Sequence, residues 1–237
     1  MIIKNVSFPT PQENILYDDV LLALAEKEQK EFIRFWESAH YFIVLGRIGK
    51  LEEDVELVVV QKDRIPVLRR SSGGGTVVQG PGCFNYTFVL DKRKHSDLSD
   101  LRKSYQYILN KVIQSLQKQN IHSVFKPISD LAIVSSQKKF SGNAQKRSKN
   151  FILHHGTILY GFQLDLIHRY LKMPKDVPEY RKGRAHLDFV TNIAFNKENF
   201  KKDLTHFFTP TFTEEAVSPI EEGFLKSALS SAQIALS

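Results

Sequence analysis

Three observations predict an α+β fold. Short apolar, β-rich runs at 40–46, 66–69, 84–90, 130–135 and 151–160 come in groups, without strict alternation with helices. Segments 15–30 and 98–118 carry apolar residues at steps of three and four, the helical period. The 237 residues are 42% hydrophobic and 25% charged, close to a globular average, which excludes collagen, a coiled-coil rod and wholesale disorder.

The elements follow in chain order. Residues 15–30, ILYDDVLLALAEKEQK, place Val20, Leu21, Leu24 and Ala25 on one helical face. Residues 40–46, HYFIVLG, read as a buried strand ending at Gly46. Glu52 to Lys62 fits either element: its Val-rich middle suits a strand, its charged flanks and length a helix. Pro66 to Arg69 is a short strand feeding a glycine run, and 84–90, FNYTFVL, is an aromatic, alternating strand. Residues 98–118 form the strongest helix, with Leu101, Tyr105, Ile108, Val112, Ile113 and Leu116 in register. DLAIVS (130–135) and FILHHGTILY (151–160) read as strands, and Leu164 to Leu171 as a helix stopped before Pro174. Residues 174–192 are expected to be a long irregular surface segment, and 197–208 and 219–236 to be helical. No repeat or linker divides 1–237, so one domain is expected.

A chain of this length buries roughly 70% of its unfolded surface and needs no disulfide or metal staple. Its single cysteine excludes an internal disulfide and a four-cysteine zinc site. The start, MIIKNVSFPT, lacks a basic region followed by an apolar one, and no apolar run reaches the ~18 residues of a membrane span. A cytoplasmic location with no membrane partner is expected. The charge is 33 − 26 = +7, which attracts polyanions such as nucleic acid, nucleotides or an acidic protein without choosing among them. Nucleic-acid binding rests on charge alone and is the weakest of these.

The strongest chemical signal is Arg69-Arg70-Ser71-Ser72-Gly73-Gly74-Gly75-Thr76-Val77. Three glycines remove every Cβ from a short stretch, so backbone amides can converge on one anion or carbonyl. The arginines add planar forks suited to phosphate or carboxylate. It is no Walker loop, because no Gly-Lys-Ser/Thr follows, and no dinucleotide fingerprint, because no G-x-G-x-x-G opens a helix. A bare glycine triplet is more often a plain loop; the arginines and the second turn at Gly80-Pro81-Gly82 weigh against that. A second signal is Lys138-Lys139-Phe140-Ser141-Gly142-Asn143-Ala144-Gln145, where a lysine can offset charge developing on oxygen. Taken alone, Ser-Gly-Asn is turn chemistry. In the third, His154-His155-Gly156-Thr157, adjacent histidines in a strand face opposite ways and are poor joint metal ligands. Gly156 would let a ligand approach the backbone closely. Cys83 is read as a small packed apolar residue before it is read as a nucleophile.

In this order, RRSSGGGTVVQGPGCFNYTFVL, KKFSGNAQ and HHGTILY resemble the lipoate–protein ligase A group of the biotin/lipoate A/B protein ligase family, from about Trp36 through Asn192. The resemblance implies a central mixed β-sheet flanked by helices, of the class II synthetase-like type. It implies two steps: lipoate (or octanoate) attacks the α-phosphate of ATP, releasing pyrophosphate, and an acceptor lysine then attacks the acyl-adenylate, releasing AMP. Lys139 matches the catalytic lysine, which stabilises charge in both steps. Arg70, Ser72, Gly73, Gly74, Gly75 and Thr76 match the glycine-bend side of the substrate and nucleotide pocket. Asn85, Asp130, Gly142, Asn143, Ala144, His155, Gly156 and Thr157 match the sheet side. Mg²⁺ is implied as a bridge between phosphates, with no protein ligand assigned. Implied partners are acidic lipoyl domains of 2-oxoacid dehydrogenase complexes or the glycine cleavage H protein, toward which a +7 chain is steered.

There are departures. Ile48-Gly49-Lys50 replace a frequent Gln-Asn after Gly-Arg, Ser129-Asp130 replace Asn-Asp, and Gln79-Gly80 replace His-Asp. The chain ends at Ser237, without room for the small C-terminal domain of the long ligases, so a separate accessory protein is one expectation. A related branch of octanoyl- and lipoyl-transferases uses a cysteine thioester and no ATP, but Val124 stands at that cysteine's position. A non-catalytic lipoate-binding module is a further alternative. The signature of biotin ligases is absent.

Overall fold

A computed structural model describes residues 1–174, 177–208 and 216–232, with the backbone of 212–214. β1 (Ile2–Asn5) comes first, a strand too short to show a pattern in sequence. Thr10 then starts α1 (Pro11–Glu28). Its hydroxyl accepts from the Glu13 N–H, the Glu13 carboxylate accepts from the Thr10 N–H, and Pro11 sits in the first turn, where no N–H is needed. β2 (Phe32–Trp36) and β3 (Phe42–Leu45) follow. The ambiguous 52–62 segment forms two short helices, α2 (Leu51–Asp54) and α3 (Leu57–Lys62), separated by extended backbone at Val55. β4 (Val67–Arg69) and β5 (Val77–Gln79) flank the glycine bend.

β6 (Cys83–Asp91) leads through a 3-10 turn to α4 (Leu101–Gln117), capped by the Asp100 carboxylate on the Lys103 N–H. β7 (Ser123–Lys126), β8 (Asp130–Ile133), β9 (Lys139–Arg147) and β10 (Phe151–Leu159) form a meander. Ser141-Gly142-Asn143 is therefore strand and not turn: pairing with β10, and with β8 at Ser141 and Gly142, overrides local turn propensity. α5 (Asp165–Tyr170), α6 (His186–Phe189), α7 (Lys197–His206), β11 (Phe212–Glu214) and α8 (Pro219–Ser231) complete the order. Residues 233–236 of the expected last helix, and 175–176 of the expected irregular segment, lie outside the described residues.

The large sheet runs β11-β1-β2-β6-β10-β9-β8-β7. β11, β1 and β2 are parallel and the rest antiparallel, so the sheet is mixed, as the resemblance implies. α4 and α7 cover one face through Ile108, Leu109, Val112, Phe200 and Leu204 against Phe84, Phe88 and Ile152. Each such fully buried side chain contributes about 1.5–3 kcal/mol. α1 and α8 cover the other face through Leu21, Leu24 and Leu225 against Val89, Phe151 and Leu153. A second sheet, β4-β3-β5, packs beside α1 through Phe42, Val44 and Leu68 on Trp36.

Candidate functional site

Two rows across the large sheet place the site. One runs Trp36–Asn85–Thr157–Gly142–Asp130 over β2, β6, β10, β9 and β8. Two residues along, the next runs Arg34–Thr87–His155–Ala144. Strand side chains alternate, so both rows face the same side, while Phe35 and Tyr86 of the row between them join the core under α4. Between this face and the small sheet lies a cavity of about 750 Å³. Lys139, Gly74, Gly75 and Thr76 all line it. A groove of about 420 Å³ along α4, beside Tyr107 and Lys111, contains none of the predicted residues.

A β-bulge puts Lys139 on the cavity side. Leu131 pairs with Ser141 but Ala132 pairs with Lys139, so β9 carries one extra residue there. Strict alternation from Gly142 would turn Phe140 to the cavity and Lys139 away. The bulge reverses this: Phe140 joins the core, and Lys139 lies over Gly142. A Cβ on Gly142 would sit 3.1 Å from Lys139 Nζ, so glycine lets the lysine lie flat on the sheet. Lys139 Nζ is 2.7 Å from Asp130 Oδ1, and Asp130 Oδ2 accepts from the Tyr180 hydroxyl at 2.6 Å. Burial and the Asp130 charge push the Tyr180 phenol above its ordinary range.

Tyr180 belongs to the segment expected to be irregular surface. That expectation is corrected: Arg181, His186, Phe189 and Val190 are buried and line the cavity. The segment is tied down by the Thr191 N–H on Lys139 O at 2.9 Å and by Arg184 on Gln137 O at 3.1 Å. Tyr180 and Phe189 rings meet at 5.1 Å, and the Arg181 guanidinium lies 4.8 Å from the Phe189 centroid.

Arg70 shapes the glycine bend. Its Nε–H donates to Ser72 Oγ and Gly73 O, and its NH2 group donates to Gly73 O and Gly75 O at 2.7 and 2.8 Å. In a trans peptide the N–H points opposite to the C=O, so the N–H groups of Gly74 and Thr76 point away from Arg70. Gly74 has φ +86°, and a Cβ on Gly46 would stand 2.0 Å from Gly74 O, so both positions require glycine. Burial lowers the Arg70 guanidinium to about 10, which leaves it charged at neutral pH. Arg70 lines the cavity, as expected of a substrate contact, but its bonds to the bend make it a scaffold as well.

Behind the bend runs a relay that sequence reasoning missed. Arg34, fully buried, donates to Asp18 Oδ1 at 2.8 Å, to Asn14 and to Val6 O, and its guanidinium lies within 6 Å of the Phe8, Tyr17 and Trp36 rings. Asp18 Oδ2 accepts from Thr87 at 2.9 Å and faces His155 Nδ1 at 3.1 Å. A carboxylate only accepts, so Nδ1 carries the proton. His155 Nε2 then takes the Ser72 hydroxyl at 2.7 Å. Burial opposes the Asp18 charge, but the hydrogen bonds from His155 and Arg34 and the Arg34 charge outweigh it and hold the carboxyl below its ordinary range. The signal in sequence was a charged pair, Asp18-Asp19, inside an apolar helix.

Other expectations are placed as follows. Ser72 is buried and, like Gly73, lies outside the cavity lining, so it acts through His155 and Arg70. Ala144 and Thr157 line the cavity. Gly156 lines the cavity, and packing beneath it also requires glycine: a Cβ there would strike Asn143 Oδ1 at 2.0 Å and the Tyr86 ring at 2.5 Å. The Tyr86 hydroxyl crosses beneath it to Asn143, and Asn143 Nδ2 donates to Ser129 O at 2.8 Å, fixing the turn that carries Asp130. His154 and His155 do face opposite ways. Burial and the neighbouring His155 lower His154 to about 3, so it is neutral and bonded to Gln145. Cys83 is fully buried, and burial pushes its thiol up to about 12, as for a packed apolar residue.

No cluster of three or more His, Cys, Asp or Glu able to hold a metal occurs among the described residues, and no helix among them is long and apolar enough to cross a membrane.

The model of the lipoyl protein ligase A/B catalytic domain matches residues 10–208. A Mycoplasma pneumoniae protein described as a probable lipoate-protein ligase A is 31% identical over 208 residues, covering 87% of this chain but 57% of its own length. The chain thus spans little more than half of that relative. Among solved structures, a bi-partite lipoate protein ligase from Thermoplasma acidophilum, studied with its E2 lipoyl domain, superposes with a TM-score of 0.82 at 21% identity, covering 97% of this chain and 91% of that one. A lipoate-protein ligase A bound with ATP gives 0.79 at 20% identity, covering 97% and 94%. With the family model spanning most of its length, the chain belongs to the lipoyl protein ligase A/B catalytic domain family.

Proposed function

We propose that the chain is an ATP-dependent lipoate–protein ligase catalytic unit. One observation carries the reading: Lys139 and the Gly74–Gly75 bend line one common cavity in a chain of this family. In the first step a carboxylate oxygen of lipoate attacks the α-phosphorus of ATP, and the bond to the β-phosphate breaks. Lys139 offsets the charge on the phosphoryl oxygens. In the second, the amine of an acceptor lysine attacks the acyl carbon, AMP leaves and the amine loses a proton. Lys139 then faces the developing oxyanion. Gly142 keeps the lysine low on the sheet, Asp130 orients it, and the Arg34–Asp18–His155–Ser72 relay holds the bend.

Asp130 is the carboxylate beside Lys139, so the donor set suits an Mg²⁺ carried mainly by the nucleotide phosphates, which it would help neutralise. The proposed acceptor is an acidic lipoyl domain, drawn by the +7 charge, and a separate accessory protein is compatible with the chain's partial coverage of its relatives. The test is mass spectrometry of a lipoyl domain incubated with the chain, Mg²⁺ and lipoate or octanoate, with and without ATP. Acylation only with ATP supports the ligase. Acylation from octanoyl-carrier protein without ATP replaces it with a transferase, and lipoate binding without transfer replaces it with a binding module.

A further inference from the structure

Residues that line the cavity and are also exposed mark its mouth. Among the described residues these are Gly74 and Gly75 of the bend, Pro127 and Ile128 of the turn before β8, and Pro174, Val177 and Glu179. Apart from the glycines and Glu179, this rim is apolar. Ile128 is 80% exposed and Val177 42%, so the chain itself covers neither. A single exposed apolar side chain is ordinary, but several around one opening mark a contact surface. Positive charge flanks this collar. Lys126 Nζ lies 5.8 Å from the Tyr180 ring centroid, Lys138 precedes Lys139, and Lys182 lies just past Tyr180. None of these three lysines has a carboxylate partner among the described residues.

The chemistry inside dictates what presses on the collar. Lys139 lines the cavity, so the acyl carbon it serves lies inside as well. An acceptor lysine reaches that carbon on a four-carbon stem, and its own backbone stops at the mouth. Methylene stems lie well against apolar walls, and the residues beside the acceptor lysine then meet Ile128 and Val177. A triphosphate gains nothing from such side chains, and an acid that has passed inside no longer covers them. We propose that the collar of Ile128, Pro174 and Val177 is the docking surface for the acceptor domain. Its apolar contact holds the tip that carries the lysine, while Lys126, Lys138 and Lys182 attract acidic residues farther out. Central apolar contacts set most of the affinity, and rim charges set mainly the rate of encounter. The assignment rests on the reading above that an acceptor lysine is acylated, and it does not need ATP.

The test supplies preformed lipoyl-adenylate and an apo lipoyl domain, so that transfer is read apart from activation. Ile128→Asp and Val177→Asp, on two separate segments, should each raise the KM for the domain about tenfold or more while the affinity for lipoyl-adenylate is kept. An unchanged KM in either variant overturns the assignment. So does a loss of adenylate affinity in step with the KM, which makes the collar a wall of the small-molecule pocket. Dimers of the wild-type chain that both variants abolish, with the KM unchanged, give the collar to a second copy instead. Transfer from the adenylate by a wild-type chain that shows no ATP–pyrophosphate exchange removes the ATP-dependent reading and leaves the docking surface standing. Absence of transfer from the adenylate by the wild-type chain overturns both.

Discussion

Asp18 on α1 and Arg34 on β2 meet at 2.8 Å, with side chains 5% and 0% exposed. They join the first helix to the sheet beneath the cavity. Burial works against both charges, and each is held ionised by the other and by its hydrogen bonds. Removing only one leaves a buried charge unpaired. Asp18→Asn should therefore destabilise the chain by about 3–5 kcal/mol, read from the urea midpoint. An unchanged midpoint contradicts the buried pairing.

Glu26 provides a pH-dependent anchor. It accepts from Ser148 Oγ, from the Asn150 N–H and Nδ2, and from the Phe151 N–H, fastening α1 to the β9–β10 turn. Burial raises its carboxyl, but these four bonds together outweigh it and hold it at about 2, against 4.5 in an unfolded chain. A carboxyl lowered on folding contributes stability above its unfolded value and loses it as pH falls toward the folded one. Stability should thus decline between about pH 4.5 and 2, and Glu26→Gln should flatten that decline in thermal melts taken across the range. An identical pH profile for the variant would remove Glu26 from the account.

Cys83 should be inert. Its thiol is buried and raised to about 12, so in native buffer at pH 8 a thiol reagent should react only as fast as the chain opens, and fully in denaturant. Cys83→Ser should retain acyl transfer. Rapid native labelling together with loss of transfer in Cys83→Ser would favour a thioester mechanism.

Tyr180 should act through Asp130. Tyr180→Phe keeps the ring on Phe189 but removes the donor to Asp130 Oδ2. A hydrogen bond to a charged group contributes about 1.5–3 kcal/mol, so adenylate formation should slow at least tenfold. Purely structural damage would lower the melting temperature in step with the rate. The rate should fall with the melting temperature nearly kept.

Much of this was legible in sequence, and the failures have physical causes. α4 and β6 showed themselves because their periodicity is long and strong. β1, β5 and β7 escaped because three or four residues carry almost no pattern, and their pairing comes from distant chain. β9 was misread locally: Ser-Gly-Asn favours a turn until β8 and β10 pair with it. Lys139 and the glycine bend were found because their chemistry is written in consecutive residues. Asp18, Arg34 and Tyr180 were not, because each is one ordinary polar residue whose partner is remote in sequence.

The most direct measurement is the ATP-dependent mass increase of a lipoyl domain, compared between the wild-type chain and Lys139→Ala at matched folding by circular dichroism. The wild-type chain should acylate the domain, and the variant should lose nearly all of this with its fold intact. Unchanged turnover in Lys139→Ala would contradict the role assigned to the lysine that the β9 bulge turns into the cavity.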